Sequence, residues 1–387
     1  MQSTWQKYRS LILATRAKDW RFSFIPQIFG NLYLWLILFN IPLSASSLLL
    51  LVMSLITSFG FAALGYFINE FFDKEDDTKA GKINKLMLLS GPKQLVIFCA
   101  ILAFTFAPWL ILPFNSNSIT LIGVQVGLFL VYAMPPLRFK KVPYLSVLTD
   151  ALYAYNVPFI LSYYTYFLYA GANTINILFV ISYGTLLFVA GFRNIIIHYI
   201  NDIFKDKKSG ITTLPRMLGV KATNNLLKFL LCAEALVSFF VIYLVGLQEA
   251  WLWLLCIAVL YLLYKAYRQA QALHDDIIVN RPIRHVPDLY YQVYAPAIIL
   301  LVLVIKNPIW LLIAPIHIAL FVPMFRLHPI ISWFQRINFR LYYIWIRQLT
   351  SWVVNYTIFF LFLLIGVNLK NRQTSAWGYL KKKLHLN

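Results

Sequence analysis

Nine apolar runs, each long enough to cross a bilayer as a helix, occupy most of the first 305 residues. They read as 22–39, 46–71, 94–112, 119–134, 145–169, 175–200, 225–246, 251–267 and 289–305. A span needs about 20 consecutive apolar residues if it is helical, and lipid offers its backbone no other partner than itself. The chain is 60% hydrophobic with a mean hydropathy of +0.70, and its 12% charged residues are about half a soluble domain's share. The fold class that follows is all-α, a polytopic helical bundle that is an integral, multi-pass membrane protein.

The connections between runs alternate in charge. Those after the first, third, fifth and seventh runs hold no lysine or arginine, whereas the others carry nearly all the basic residues up to position 288. This positive-inside pattern places the N-terminus, and the loops after the even runs, on the cytoplasmic face. It also accounts for a formal charge of +20 without a nucleic-acid partner. Cys99, Cys232 and Cys256 all lie in apolar runs, so neither disulfides nor a thiolate metal site is indicated. The apolar start is long and lacks a convincing small-residue cleavage site, so no cleavable leader is expected. The stretch to Arg21 is basic and amphipathic, suited to lipid headgroups. Beyond Ile305 the pattern loosens. A run at 308–325, an arginine-dotted aromatic stretch at 326–347 and another run at 351–369 suggest one or two extra membrane or interfacial helices. The expected domains are therefore a membrane domain at 1–306 and a C-terminal extension at 307–387. From Leu289 onward there is no Asp or Glu, so the extension supplies no carboxylate.

Two of the even runs end in acid. After the second come Asn69, Glu70, Asp73, Glu75, Asp76 and Asp77. If the helix continues, Asn69, Asp73 and Asp77 stack on one face. After the sixth come Asn201, Asp202 and Asp206, with Asn194 and His198 extending the row inward. Stacked like charges repel, so each row asks for a cation. An oxygen-only donor set without His or Cys selects a hard ion, Mg²⁺ first with Mn²⁺ as its substitute. Lysines trail both rows: Lys79, Lys82 and Lys85 after the first, Lys205, Lys207 and Lys208 around the second. One such row also suits a solvated turn. Two at matching helix ends suit a diphosphate held through metal and by ammonium groups.

The loop after the fourth run adds Arg138, Lys140 and Lys141 behind Pro135-Pro136, at the same membrane face. Positive-inside charge explains any one of them, and as a group they suit diphosphate binding. Inside the membrane, His198 reads first as a satisfied buried histidine and second as a general base for an acceptor. Arg193, about opposite Asp202 around its helix, should pair elsewhere or snorkel. Asp150 reads as the other membrane-embedded acid, orienting an acceptor or pairing with a lysine. Tyr153, Tyr155, Tyr163 and Tyr164 are mostly core or lipid-facing, although such rings can stabilise a carbocation. No Ser-His-Asp or Cys-His set appears.

These residues resemble the UbiA-type intramembrane prenyltransferase superfamily over about residues 10 to 305. Asn69, Glu70, Asp73 and Asp77 match its N-D-x-x-D-x-x-x-D motif with Glu in place of the first Asp. Asp202, Asp206 and Gly210 match the second, D-x-x-x-D-x-x-x-G. Tyr132, Pro135, Pro136, Arg138 and Lys140 match the basic loop, and Thr213, Leu214, Leu218 and Gly219 the trailing T-L-x-x-x-L-G. The resemblance implies a nine-helix core around a cavity, with an isoprenyl diphosphate bound beneath Mg²⁺. It makes Asn69, Asp73, Asp77, Asp202 and Asp206 the metal ligands, with Asp73, Asp202, Asp206 and Arg138 catalytic. Lys82, Lys85, Arg138, Lys140, Lys141 and Lys208 would hold the diphosphate. The expected reaction is Mg-dependent transfer of a prenyl group to a lipophilic acceptor, an aromatic one first. A membrane class I terpene cyclase would share the ionisation but let the chain attack its own cation. A transporter expects ionisable groups near the midplane, and the acids gathered at one interface count against it. Glu70, one methylene longer than Asp, is expected to support Asp73 or a water beside the metal rather than bind it.

Overall fold

A computed structural model of the chain describes residues 25–79, 81, 83–208, 212–272 and 286–317. The N-terminal amphipathic stretch, Lys82 and the expected elements beyond His317 lie outside the described residues. Among those described, helices and short helical turns are the only regular structure. The helices are α1 Ile25–Leu38, α2 Ala45–Phe72, α3 Lys74–Lys79, α4 Gly91–Phe106, α5 Ser116–Ala133, α6 Pro143–Ala151, α7 Val157–Tyr169, α8 Ile177–Lys208, α9 Leu214–Gly246, α10 Leu254–Ala272, α11 Val286–Leu289 and α12 Ala295–Lys306. Among the described residues, six stretches are long and apolar enough to cross a membrane, and α1, 250–264 and 308–317 are shorter apolar helical stretches. Two compact units divide at Leu311/Leu312, and the second is described only through His317.

Each of the nine expected runs becomes helix, and the departures have local causes. The fifth and ninth are interrupted by π-helical turns at Leu152–Asn156 and Tyr290–Tyr294. Each turn closes on an i−5 bond, Val157 N–H to Leu152 O and Ala295 N–H to Tyr290 O, one residue before Pro158 or Pro296. A proline cannot donate to its i−4 carbonyl and its ring crowds that oxygen, so the preceding turn widens. The sixth run continues past Ile200 to Lys208, which carries the second acidic row on helix. The seventh starts at Leu214 instead of Asn225. Gly219, at φ 76° and ψ 171°, breaks it where a left-handed conformation suits glycine.

Packing sets the helix that follows the basic loop against α8 and α9. Val147 of α6 is buried in one cluster with Ile195, Ile196 and Tyr199 of α8 and Leu214 and Leu227 of α9. Because α6 follows directly on the basic loop, that loop stands beside the end of α8. On the other side α2 lies tightly on α4: Thr57 Oγ1 donates to Thr105 O at 2.7 Å and accepts from Trp109 Nε1 at 3.0 Å. Gly60 allows this approach, since a Cβ there would lie 2.5 Å from the Thr105 backbone. Gly60→Ala should therefore lower the thermal unfolding midpoint in detergent by the equivalent of about 1–3 kcal/mol. Gly123→Ala, where a Cβ meets nothing within 4 Å, should leave it unchanged or slightly raised.

Candidate active site

Helix α2 ends at Phe72 and α3 restarts at Lys74, so the first acidic row is not one unbroken helix. Its backbone phase survives the junction. Asp73 N–H donates to Asn69 O at 3.0 Å and Asp77 N–H to Asp73 O at 2.8 Å, keeping the three residues four apart along one hydrogen-bonded line. Asp73 itself is the cap, at φ −92° and ψ −2°.

The basic loop closes on this row. Arg138 Nη2 donates to Asp73 Oδ1 and Phe72 O, each at 3.0 Å, and lies 2.9 Å from Asp76 Oδ2. Lys140 Nζ donates to Asn69 Oδ1 at 2.9 Å and also to Asp73 Oδ1. Lys141 Nζ is 2.8 Å from Asp76 Oδ2. Arg138 takes a left-handed backbone, φ 41° and ψ 53°, which costs a non-glycine residue about 1–3 kcal/mol. Its ion pairs with Asp73 and Asp76 offset that strain and fix the direction of the loop. The Lys141 hydrogen bond, with Arg138 beside it, holds Asp76 below the usual carboxylate range. Burial draws the Lys140 ammonium below the usual lysine range, against the opposing pull of Asp73.

Glu70 turns away from the row. It is 6% exposed, and its Oε2 accepts the Lys85 N–H at 3.0 Å. Asn84 completes this support by donating to Glu70 O at 2.7 Å and to Asp77 Oδ2 at 3.0 Å. The Glu70 carboxylate thus steadies the turn before Lys85, and Asn84 links the Glu70 backbone carbonyl to Asp77. Gln94 Nε2 ties the same loop through the Leu86 and Leu89 carbonyls, both at 2.9 Å.

On α8, Asp202 lies 3.7 Å from His198 Nε2. The His198 side chain is 65% exposed, which corrects its reading as a buried histidine. Ile195, Ile196, Ile197 and Tyr199 turn into the core, leaving His198 exposed and Asp202 half-buried beside it. Asp206 and Lys208 continue the helix, with side chains outside the described residues. Among the described residues no group of three His, Cys, Asp or Glu side chains closes around one point. Asn69, Asp73 and Asp77 still fit a hard divalent ion by donor chemistry, and the Lys140 ammonium stands in for such a cation between Asn69 and Asp73.

Deeper in the bundle lies a cluster the sequence reading did not find. Arg193, 1% exposed, grips Glu234 through Nε–Oε2 at 2.6 Å and Nη2–Oε1 at 3.2 Å. It reaches Asp288 Oδ1 at 3.2 Å through Nη1 and Asn194 Oδ1 at 2.7 Å. Asn194 in turn donates to the Tyr155 hydroxyl at 2.8 Å. Asp150 is therefore not the only further embedded acid, and its partner is the Tyr153 hydroxyl instead of a lysine. An ionisable residue inside a span calls for a partner, and Glu234 within an apolar run was that signal for Arg193.

The bundle thus joins an acidic helix end to a basic loop, an arrangement suited to an anionic ligand. The family model of the UbiA prenyltransferase family matches residues 31–277, and the chain belongs to that family. It is a prenyltransferase and an integral membrane protein. The fold is similar to a UbiA homologue from Archaeoglobus fulgidus bound to GPP and Mg²⁺, at 18% identity and TM-score 0.53, over 76% of this chain and 99% of that one. The same homologue bound to DMAPP and Mg²⁺ gives 17% identity and TM-score 0.53, over 76% and 98%. An apo UbiA homologue from Aeropyrum pernix K1 gives 15% identity and TM-score 0.51, over 73% and 97%. Comparison with curated proteins gave no match.

The buried ionic cluster yields its own prediction. Arg193→Met alone strands two carboxylates and should cost about 3–5 kcal/mol in unfolding experiments in detergent. Combining it with Glu234→Leu and Asp288→Leu should recover most of that loss. A triple variant less stable than Arg193→Met would show that the three residues do not act as one ionic unit.

Proposed function

We propose that the protein transfers a prenyl group from an isoprenyl diphosphate to a lipophilic, aromatic acceptor in a Mg²⁺-dependent reaction at the cytoplasmic membrane face. The observation that carries this reading is the contact of Arg138 and Lys140 with the Asn69–Asp73 row, which puts oxygen donors and phosphate-binding cations at one point. Asn69, Asp73 and Asp77 on one side, with Asp202 and Asp206 on the other, would hold Mg²⁺. When bound, the ion neutralises diphosphate charge. Arg138, Lys140 and Lys141 bind the diphosphate oxygens, with Lys82, Lys85 and Lys208 as further cations of the same face. The donor's C–O bond breaks with its electron pair leaving on diphosphate, and the acceptor forms the new bond to the allylic carbon while losing a proton. The GPP- and DMAPP-bound forms of the Archaeoglobus fulgidus homologue, each with Mg²⁺, support the donor class and the metal. The positive-inside charge pattern supports the orientation.

Purified protein given geranyl diphosphate and Mg²⁺ should release diphosphate, and chelator should abolish release. Asp73→Ala or Asp202→Ala should each lower it by about a hundredfold or more. Glu70→Gln keeps an acceptor oxygen for the Lys85 N–H and should cost less than Asp73→Asn. Folded Asp73→Ala and Asp202→Ala proteins of near-normal activity would overturn the assignment.

We assign residues 1–306 to the catalytic domain and 307–387 to an extension contacting anionic lipid, consistent with its nine lysines and arginines. A chain stopped after Asn307 should keep metal-dependent diphosphate release. Complete loss from a protease-resistant truncated core would place the extension in the catalytic unit.

A further inference from the structure

The first acidic row already has a counter-ion. Lys140 Nζ lies between Asn69 Oδ1, at 2.9 Å, and Asp73 Oδ1, and its side chain is 12% exposed. These are two of the oxygens assigned above to the metal. A divalent ion takes such oxygens at close to 2 Å, so with Lys140 in place, and Arg138 Nη2 on the same Asp73 Oδ1, it would sit against like charge. Lys140 is also not a loosely tethered side chain. It sits in the short helical turn Phe139–Lys141 directly after the left-handed Arg138. Asp76 gives the loop a separate anchorage, 2.9 Å from Arg138 Nη2 and 2.8 Å from Lys141 Nζ, which does not involve the Asn69–Asp73 oxygens.

If Lys140 left the row with no other acceptor to receive it, a largely buried ammonium would lose its partners. A diphosphate supplies those acceptors. The exchange then leaves each charge with a partner: the divalent ion takes the lysine's place on the row, and the diphosphate oxygens take the lysine. The loop need not undock, because Asp76 continues to hold Arg138 and Lys141.

We propose that Lys140 is the resident counter-ion of the Asn69–Asp73 row, so that this row takes up divalent metal only together with a diphosphate that displaces the lysine. The proposal rests on the metal and donor reading above and adds an order of events to it. The enzyme has no metal-loaded state of this row awaiting substrate, and metal and donor strengthen one another's binding. Such coupling is reciprocal and falls within a range of about 5- to 150-fold where two sites are linked.

Mn²⁺ binding to the purified full-length protein, followed by the EPR signal of free Mn²⁺, tests this without any turnover. Lys140→Gln, or Lys140→Met should the first variant fold poorly, should bind Mn²⁺ alone at least about tenfold tighter than wild type, since a full charge has left the row. Lys140→Arg, which keeps the charge, should stay near wild type. Geranyl thiolodiphosphate should then raise Mn²⁺ affinity strongly in wild type and little in Lys140→Gln. Asp73→Ala should abolish the gain made by Lys140→Gln, which locates it on this row. Equal Mn²⁺ affinity of wild type and the folded Lys140→Gln and Lys140→Met proteins, with Mn²⁺ bound in the presence of the analogue, would overturn the counter-ion role alone. No Mn²⁺ held by any protein with the analogue would overturn the metal reading and this inference with it.

Discussion

Charge must be balanced wherever this chain leaves water, and most of its irregular features follow from how that is achieved. Lipid solvates neither backbone amides nor side-chain charges, so helices satisfy the first and internal partners the second. Arg193 shows the requirement at its most severe: fully enclosed, it engages Glu234 through two bonds and reaches Asp288 and Asn194 with the remaining edge. That cluster ties α8 and α9 to the short helix at 286–289. Its carboxylates and guanidinium are expensive to bury and expensive to separate, which favours one arrangement of these elements over its neighbours.

At the membrane face the same requirement has a different solution. The acids of the first motif cannot be neutralised by solvent alone, and the basic loop supplies Arg138, Lys140 and Lys141. Here the partners sit at a boundary where other ions can reach them. The inner cluster is buried, whereas the outer one is partly exposed. Helix breaks fall in the outer zone too, at Asp73 and at Gly219, where backbone groups freed from the helix can find water or side chains.

Nearly all of the helix order was legible, because apolar runs of span length have few alternative fates. The motif positions were legible as well, since acids and lysines at helix ends stand out against an apolar background. Contacts between distant side chains were harder to read. Nothing in the spacing says that Asp76 rather than Asp77 receives Arg138 and Lys141, or that Asn84 reaches back to Asp77 and Glu70. His198 was misplaced because a residue within an apolar run invites a buried reading. Only the packing of Ile195, Ile196 and Tyr199 on the opposite side shows which way it points. Arg193 was expected to pair away from Asp202, and its carboxylate partners, Glu234 and Asp288, come from two helices that lie far along the chain.

The π-helical turn at Leu152–Asn156 also settles a matter of phase. Val147, Ala151, Tyr155, Phe159 and Tyr163 are all buried, at a spacing of four residues. On an uninterrupted α-helix each four-residue step overshoots a full turn by about 40°, so the fifth position would sit about 160° away from the first. The wider turn ahead of Pro158 absorbs part of that drift. It works as a clutch between two helical gears, letting one side of a long span stay meshed with α8 at its lower end and with α1 at its upper end. Tyr155, within the clutch, comes to rest against Gly191, where an added Cβ would lie 2.6 Å from its ring. The polar line from Arg193 through Asn194 to Tyr155 thus owes its alignment to one proline and the slack it forces into the turn before it.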